Sequence, residues 1–327
     1  MGNALVDILT RLNDDSLLEQ FNLPKGSMTL VDLELSNLIY VNSANLDKKK
    51  ASGGSAANTI HGLSRLGVDS IYIGKIGNDD LGRFFSEDME KAGIHPVLFH
   101  SINDTGKVMA LISPDSERTM ATYLGAAVEL SGDDISSDLF EDRDLFYIEG
   151  YLVNNFELFS KSIRLAHEKN NMIALDLASF NVVDQYRDPL LEEIKAYVDI
   201  VFANEEEAKS LTQLEPEAAV EKIAESCEIA VVKTGAKGSL IKSKNEVIHV
   251  PARKVNSIDT TGAGDIYAAG FIYGLSRNLA LEKCGQIGTL LASRVIQVIG
   301  PKIEDNDWIS IKKEINVIIK NQDGLSY

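Results

Sequence analysis

The feature that most restricts the fold is an alternation of short apolar runs with longer stretches of helical character. Such runs occupy residues 71–74, 145–148, 172–175, 200–203 and 229–234, and sequence of helical character lies between most of them. Short apolar runs of this kind predict buried strands, and strands that alternate with helices predict a parallel sheet with helices on both faces. We therefore predict an α/β domain with a mostly parallel central sheet.

Two segments interrupt this alternation with β-like sequence. The first contains apolar runs at 28–31 and 38–41, and the second contains runs at 107–112 and 119–123 on either side of a polar turn. We expect insertions at about 10–48 and 99–124 to form a small β-sheet lid over the main domain. Because we find no internal repeat and no long linker, residues 1–327 are predicted to be one domain with this lid.

Composition excludes several classes of partner. The chain has 49 acidic and 32 basic residues, a formal net charge of −17, which disfavours nucleic acid and anionic membranes because both require a basic surface.

Cys227 and Cys284 have no metal-binding or disulfide pattern and are interpreted as reduced thiols. The N-terminal sequence lacks a signal peptide, and no apolar run reaches membrane length, so we predict a cytoplasmic protein.

Residues 259–270 contain the strongest chemical signal, Asp-Thr-Thr-Gly-Ala-Gly-Asp followed by an apolar helix. The first amides of a helix have no intrahelical partner and attract anions, and glycines allow an anion to approach closely. An Asp beside such amides suits phosphoryl transfer, because it can accept the proton of the attacking hydroxyl. The alternative is that Asp265 only complements the helix dipole while the glycines permit close packing.

Two positions earlier in the chain are candidates for holding a substrate. Asp7 places a charge in the segment 3–9, which suits a buried strand, and either faces solvent at a strand end or accepts bonds from ligand hydroxyls. Gly53 and Gly54 precede a predicted helix that includes Asn58 and ends at Gly67. These glycines either are ordinary loop residues or bring the backbone close to a ligand.

Two loops after predicted strands allow a structural and a functional interpretation. Asn204 and Glu207 have the spacing of a helix capping box, but an amide and a carboxylate near phosphates could also order Mg²⁺ and its waters. The segment Thr234-Gly235-Ala-Lys-Gly238 separates two β-like runs, so it forms either a glycine hairpin or a backbone platform for a nucleotide.

Taken in order, these motifs resemble the ribokinase (PfkB) family of carbohydrate and nucleoside kinases. The similarity extends from Gly2 to about Lys302, and the segments 2–8, 53–58 and 204–208 are most similar to the adenosine kinase branch. The resemblance implies a ribokinase-like three-layer α/β/α domain with a β-sheet lid. It also implies ATP and Mg²⁺ as cofactors, and several family members bind a monovalent cation such as K⁺ beside the anion hole.

The resemblance assigns a role to each candidate residue. It makes Asp265 the catalytic base and puts the amides of Gly262, Ala263 and Gly264 in an anion hole. It places the substrate near Asn3, Leu5, Asp7, Gly54, Ser55, Asn58 and Arg118, and the nucleotide near Thr234, Gly235 and Gly238. It implies that Asn204 and Glu207 hold Mg²⁺ through water, with support from Glu149. It also implies that Asp259 and Thr261 form one side of the monovalent-cation site.

We therefore predict an ATP-dependent kinase that phosphorylates a primary hydroxyl of a nucleoside, the 5′-OH of an adenosine-like molecule. The closest alternative is a sugar kinase that acts on ribose, fructose or a related free sugar. An alternative of another class is a ligand-binding protein that keeps the fold without turnover. Exposed strands of the lid could pair across a homodimer.

Overall fold

The central sheet of the computed structural model, which describes residues 1–244 and 246–321, has the predicted mostly parallel character. Its strand order is β13-β12-β11-β10-β9-β8, in which β8 to β11 are parallel and β12 and β13 are antiparallel. The strands are β8 (Leu145–Glu149), β9 (Met172–Asp176), β10 (Ile200–Asn204), β11 (Ile229–Lys233), β12 (Ser239–Ser243) and β13 (Glu246–Val250).

The N-terminal residues extend this sheet sideways. The Glu149 amide donates to the Met1 carbonyl at 3.3 Å, and the Gly2 amide donates to the Ile73 carbonyl at 3.2 Å. Ile73 belongs to β4 (Ile71–Gly77), which pairs in parallel with β5 (His95–Ser101), a strand that the sequence analysis did not predict. Residues 1 and 2 therefore lie in the central layer, beside the carboxyl end of β8.

Helices cover both faces of the central layer, because successive strand residues alternate between two cores. In β9, Ala174 packs in one core, whereas Ile173 and Leu175 pack in the other. The first face carries α3 (Ser55–Leu66), α4 (Asp80–Lys91), α9 (Ala263–Ser276), α10 (Leu281–Val295) and α11 (Asp307–Lys320). The second carries α5 (Phe156–Glu168), α6 (Phe180–Tyr197), α7 (Glu205–Thr212) and α8 (Pro216–Ile223). This is the predicted three-layer α/β/α arrangement.

A second sheet of five strands, in the order β2-β7-β6-β1-β3, forms the lid. The strands are β1 (Leu5–Arg11), β2 (Met28–Leu30), β3 (Lys48–Gly53), β6 (Gly106–Ile112) and β7 (Arg118–Tyr123), and the short helix α1 (Ser16–Gln20) lies between β1 and β2. Strand β1 pairs in parallel with β6 and antiparallel with β3. Because β1 follows the N-terminal residues directly, the chain passes from the central sheet into the lid without a linker.

One predicted strand of the lid is wrong. Residues 38–41 lie within helix α2 (Leu33–Asn42), which begins after Asp32. The Asp32 carboxylate accepts the Leu35 amide at 2.8 Å and so caps the helix, and Ile39 is fully buried. The apolar run was too short to distinguish a strand from one turn of a buried helix.

Across residues 1–244 and 246–321, no helix combines the length and apolar character that crossing a membrane requires.

Candidate active site

The candidate site lies where the N-termini of helices α3 and α9 meet beneath the lid. Gly54 and Gly262 precede these helices with φ of 98° and 73°, a backbone conformation that favours glycine. A Cβ at Gly54 would lie 2.3 Å from the Asn3 carbonyl oxygen, so no larger residue fits between the N-terminal segment and α3. Gly54 therefore allows the start of α3 to approach the N-terminal segment closely, and Gly262 does the same for the start of α9 against Pro301.

Asp265 is the third residue of α9, and two side chains of α3 hold its carboxylate. Ser55 Oγ donates to Oδ1 at 2.8 Å, and Asn58 Nδ2 donates to Oδ2 at 2.9 Å. Burial raises the Asp265 pKa to about 7, and the Asp176 carboxylate adds to this rise, while Asn58, Ser55 and Lys233 oppose it. A carboxylate with this pKa accepts a proton at neutral pH much better than an ordinary one.

This pKa predicts a specific pH profile. Only ionised Asp265 can accept a proton, so kcat/KM should fall about tenfold per pH unit below pH 7. Replacing Ser55 with Ala removes a bond to the ionised carboxylate and should move this acid limb to higher pH. The matched control is Ser64→Ala, because Ser64 lies on the same helix but donates to the Ala92 carbonyl. An acid limb that stays near pH 4 in the wild type would contradict the raised pKa.

The amides of the glycine turn are only partly free to bind an anion. The Ala263 amide donates to the Thr260 carbonyl at 3.2 Å. In the part of the chain that the structure describes, the amides of Gly262, Gly264 and Asp265 have no hydrogen-bond partner. Of the three amides assigned to the anion hole, Ala263 is therefore the one already engaged, and Asp265 offers a further donor.

Lys233 and Asp176 also lie at this site, although no sequence motif indicated them. Lys233 Nζ is 2.9 Å from Asp176 Oδ2 and 3.1 Å from the position that a Cβ on Gly264 would occupy. Burial lowers the Lys233 pKa, but the carboxylates of Asp176 and Glu207 outweigh this effect and raise it overall. The ammonium group therefore stays charged next to the free amides. The sequence did contain a signal for these two residues, because each is a charged residue at the carboxyl end of an apolar run, Asp176 in β9 and Lys233 in β11.

Asn204 and Glu207 form the capping box that their spacing predicts. The Glu207 amide donates to Asn204 Oδ1 at 2.8 Å, while the Asn204 amide and Nδ2 donate to the Glu207 carboxylate at 2.8 and 2.7 Å. Burial raises the Glu207 pKa to about 7, and Lys233 opposes this shift. Among residues 1–244 and 246–321, no cluster of three His, Cys, Asp or Glu side chains could hold a metal directly. This donor set suits Mg²⁺ bound through its waters, which is how that ion is usually held.

The Glu149 carboxylate accepts hydrogen bonds from both the N-terminal segment and helix α3. Its Oε1 accepts the Asn3 amide at 2.8 Å and Asn3 Nδ2 at 2.9 Å, and its Oε2 accepts the Ala56 amide at 2.8 Å. A Cβ at Gly2 would lie 2.3 Å from Oε2, so glycine is required there. The carboxylate thus caps α3 and fixes Asn3 at the cavity wall.

Asp7 is buried in the middle of β1 and does not face solvent at a strand end. A Cβ at Gly53 would lie 2.5 Å from its carboxyl group, so Gly53 leaves room for this side chain. Burial raises the Asp7 pKa to about 6, and the charges of Arg118 and Lys302 counteract this rise. Asp7 therefore remains largely ionised at neutral pH and can accept hydrogen bonds.

These residues surround one cavity of about 880 Å³ between the lid and the central sheet. Most of the residues selected from the sequence line it, namely Asn3, Leu5, Asp7, Gly54, Ser55, Asn58, Arg118, Glu149, Asn204, Glu207, Gly235, Thr261, Gly264 and Asp265. Thr234, Gly238, Asp259, Gly262 and Ala263 lie outside its lining. Thr234 to Gly238 form the turn between the antiparallel strands β11 and β12, as the hairpin interpretation predicts.

The lid and the turn of helix after it contribute most of the apolar lining of the cavity. These are aliphatic and thioether side chains from β1, β2, β6, β7 and the turn of helix after β7, namely Leu5, Met28, Leu30, Val108, Met120, Leu124, Ala127, Val128 and Leu130. Polar groups line the same cavity from the lid itself, through Asp7 of β1, and from helix α3, through Asn58. The cavity therefore combines an apolar lining with polar groups, a common arrangement in sites for ring-containing ligands.

Comparison with known proteins identifies the family. The model of the pfkB family of carbohydrate kinases matches residues 26–308. An adenosine kinase from Sinorhizobium meliloti has a similar structure, with a TM-score of 0.86, 36% identity and coverage of 96% of this chain and 97% of that chain. A probable sugar kinase from Rhizobium etli CFN 42 has a TM-score of 0.86 and 37% identity, with 96% of each chain covered. Adenosine kinase of Saccharomyces cerevisiae is 28% identical over 326 residues, covering 92% of this chain and 95% of that protein. The chain is a phosphotransferase that belongs to the pfkB family of carbohydrate kinases.

Proposed function

We propose that this kinase transfers the γ-phosphoryl group of ATP to the 5′-hydroxyl of a nucleoside. The observation that carries the proposal is the apolar lining that the lid contributes to the cavity, together with the polar groups of Asp7 and Asn58. A purine or pyrimidine base would fill the apolar part, while the ribose hydroxyls would bond Asp7 and Asn58. A free sugar would leave the apolar wall without a partner.

The arrangement around Asp265 performs the chemistry. The acceptor hydroxyl attacks the γ-phosphorus, a new O–P bond forms, the bond to the ADP oxygen breaks, and the hydroxyl proton passes to Asp265. The free amides of Gly262 and Gly264 and the charge of Lys233 stabilise the transferring group. Family membership implies ATP and typically Mg²⁺, which neutralises phosphate charge when bound. Asn204 and Glu207 would hold its waters, and the lid would exclude bulk water.

The remaining assignments support this reaction but stay predictions. Thr234, Gly235 and Gly238 are proposed to line the nucleotide, and Glu149 to support the metal-binding network. Three further assignments also stay predictions: the lid bounds at about 10–48 and 99–124, the pairing of lid edge strands in a homodimer, and a cytoplasmic location. The carboxylate of Asp265, which can accept the hydroxyl proton, and the free amides beside it argue against a ligand-binding protein without turnover.

A sugar kinase is the second candidate, because Asn3, Asp7 and Asn58 could also surround a free sugar. ADP release from ATP and Mg²⁺, measured with adenosine, inosine, ribose and fructose, separates the two. Turnover with a nucleoside at low concentration, and little with ribose, supports the proposal. Efficient turnover of ribose or fructose with none of either nucleoside would contradict it.

A leucine of the apolar lining gives a sharper test. Leu30 lines the cavity and is 61% exposed, so a bound base should bury it. Leu30→Ser should raise the nucleoside KM by about tenfold or more, since burying a Leu side chain contributes roughly 1.5–3 kcal/mol. Leu38→Ser is the matched control, because Leu38 is 46% exposed on the lid helix α2 but lies outside the cavity lining. Equal KM values for both variants would contradict base binding at this wall.

A further inference from the structure

Arg118 connects the lid to the loop before helix α9. It is the first residue of β7, and its Nη1 lies 3.2 Å from Asp259 Oδ2. Both side chains are 9% exposed, so this ion pair is screened little by solvent. In the described part of the chain, Arg118 therefore contacts the loop that carries the glycine turn, although it also lines the cavity.

The Asp259 carboxylate has its hydrogen-bonding positions filled. Its Oδ1 accepts the Thr261 amide at 2.9 Å and Thr261 Oγ1 at 2.7 Å, while Oδ2 accepts the Gly300 amide at 2.9 Å in addition to Arg118. An ionised carboxylate has about four lone-pair positions, so a cation could bind it only by displacing one of these donors. The side chain of Asp259 therefore does not fit the monovalent cation that the family resemblance suggested at this position.

We propose that Arg118 supplies from the lid the positive charge beside Asp259, so that this kinase works without a monovalent cation. This inference rests on the proposed phosphoryl transfer. Thr261, which Asp259 holds, directly precedes Gly262 at the start of α9. The ion pair thus links the lid to the turn that precedes the free amides at the start of α9. Arg118 is accordingly a positioning residue.

The first test replaces the cation and then the arginine. Wild-type turnover should change less than about twofold when KCl is replaced by NaCl or choline chloride at constant ionic strength. Arg118→Ala should lower kcat by about tenfold or more, which corresponds to about 1.4 kcal/mol of activation free energy. Added guanidinium or K⁺ should restore part of the loss. The matched control is Arg11→Ala, since Arg11 is an exposed lid arginine at the end of β1.

Thermal unfolding provides a readout that does not depend on turnover. The wild-type midpoint should be the same in KCl and choline chloride, whereas that of Arg118→Ala should rise with KCl as the ion occupies the vacated position. A saturable K⁺ requirement in the wild type, or a wild-type midpoint raised specifically by K⁺, would overturn the inference. So would a loss in Arg118→Ala that neither cation restores. If no acceptor were phosphorylated, the proposed function would fail, and the unfolding comparison would still decide whether Arg118 replaces the ion.

Discussion

Replacing Asp265 with Asn is expected to reduce phosphoryl transfer by about 10³-fold or more, in line with the loss of a positioned general base. The amide keeps the shape of the carboxylate but cannot accept the hydroxyl proton. The hydroxyl of Ser55 can rotate to accept from the new NH₂ group while Asn58 still donates to the remaining oxygen, so the junction of α3 and α9 should survive. ADP release at saturating acceptor measures the loss, and ATP affinity, measured by titration, should change little.

Unfolding measurements separate this catalytic effect from a structural one. Because burial raises the Asp265 pKa to about 7 in the folded protein, its ionised form is disfavoured by folding. The Asp265 carboxylate therefore lowers the free energy of unfolding progressively as pH rises from about 4 through 7. Asp265→Asn should accordingly be at least as stable as the wild type at pH 8. Asp79→Asn is the matched control, because Asp79 caps α4 outside the cavity lining. A variant with unchanged turnover would remove Asp265 from the base role.

The sequence predicted the elements whose pattern is local. The apolar runs that became β8 to β11 are buried on both faces, and the start of α9 carries its glycines and Asp265 together. The family resemblance selected Ser55 and Asn58 for substrate binding, which stays a prediction, and did not indicate that both side chains donate to the Asp265 carboxylate, 210 and 207 residues away. Strands, helix caps and glycine turns can be predicted from the sequence because each depends on residues that lie within a few positions of one another.

The features that the sequence did not predict depend on distant partners. Helix α2 was interpreted as a strand because a four-residue apolar run has no visible period. Lys233 and Asp176 resembled ordinary charges at strand ends, and only the parallel pairing of β9, β10 and β11 brings them together. The raised pKa of Asp265 likewise depends on its burial in the folded protein and on the Asp176 carboxylate, which is distant in the sequence. Long-range burial therefore determines the chemistry of residues that local pattern alone identifies.

Replacing Lys233 with Met should cause the second large loss of activity, about 10²-fold or more, the range found when a group that stabilises transition-state charge is removed. Lys233 Nζ lies beside Gly264 and pairs with Asp176 at 2.9 Å, so it can meet phosphoryl charge at the free amides. The loss should appear mainly in kcat, because the charge matters most as the phosphoryl group moves. Steady-state kinetics with the preferred acceptor measures it.

The lysine also influences the base, which provides a second signature. The Lys233 charge lowers the Asp265 pKa, and the Asp176 carboxylate raises it. Without the lysine, the carboxylates of Asp176 and Glu207 lose their compensating charge, so the Asp265 pKa should rise and the acid limb of kcat/KM should move to higher pH. A purely structural role for Lys233 would lower stability without moving that limb.

A second buried lysine makes the comparison decisive. Lys75 pairs with Asp134 at 2.9 Å and its side chain is 14% exposed, which equals the exposure of Lys233, but it lies outside the cavity lining. Lys75→Met also breaks an ion pair with a largely buried lysine and should destabilise the fold, because each change leaves a carboxylate without its lysine. Only Lys233→Met should also lower kcat and shift the pH profile. Equal kinetic effects in both variants would show that Lys233 acts through stability alone.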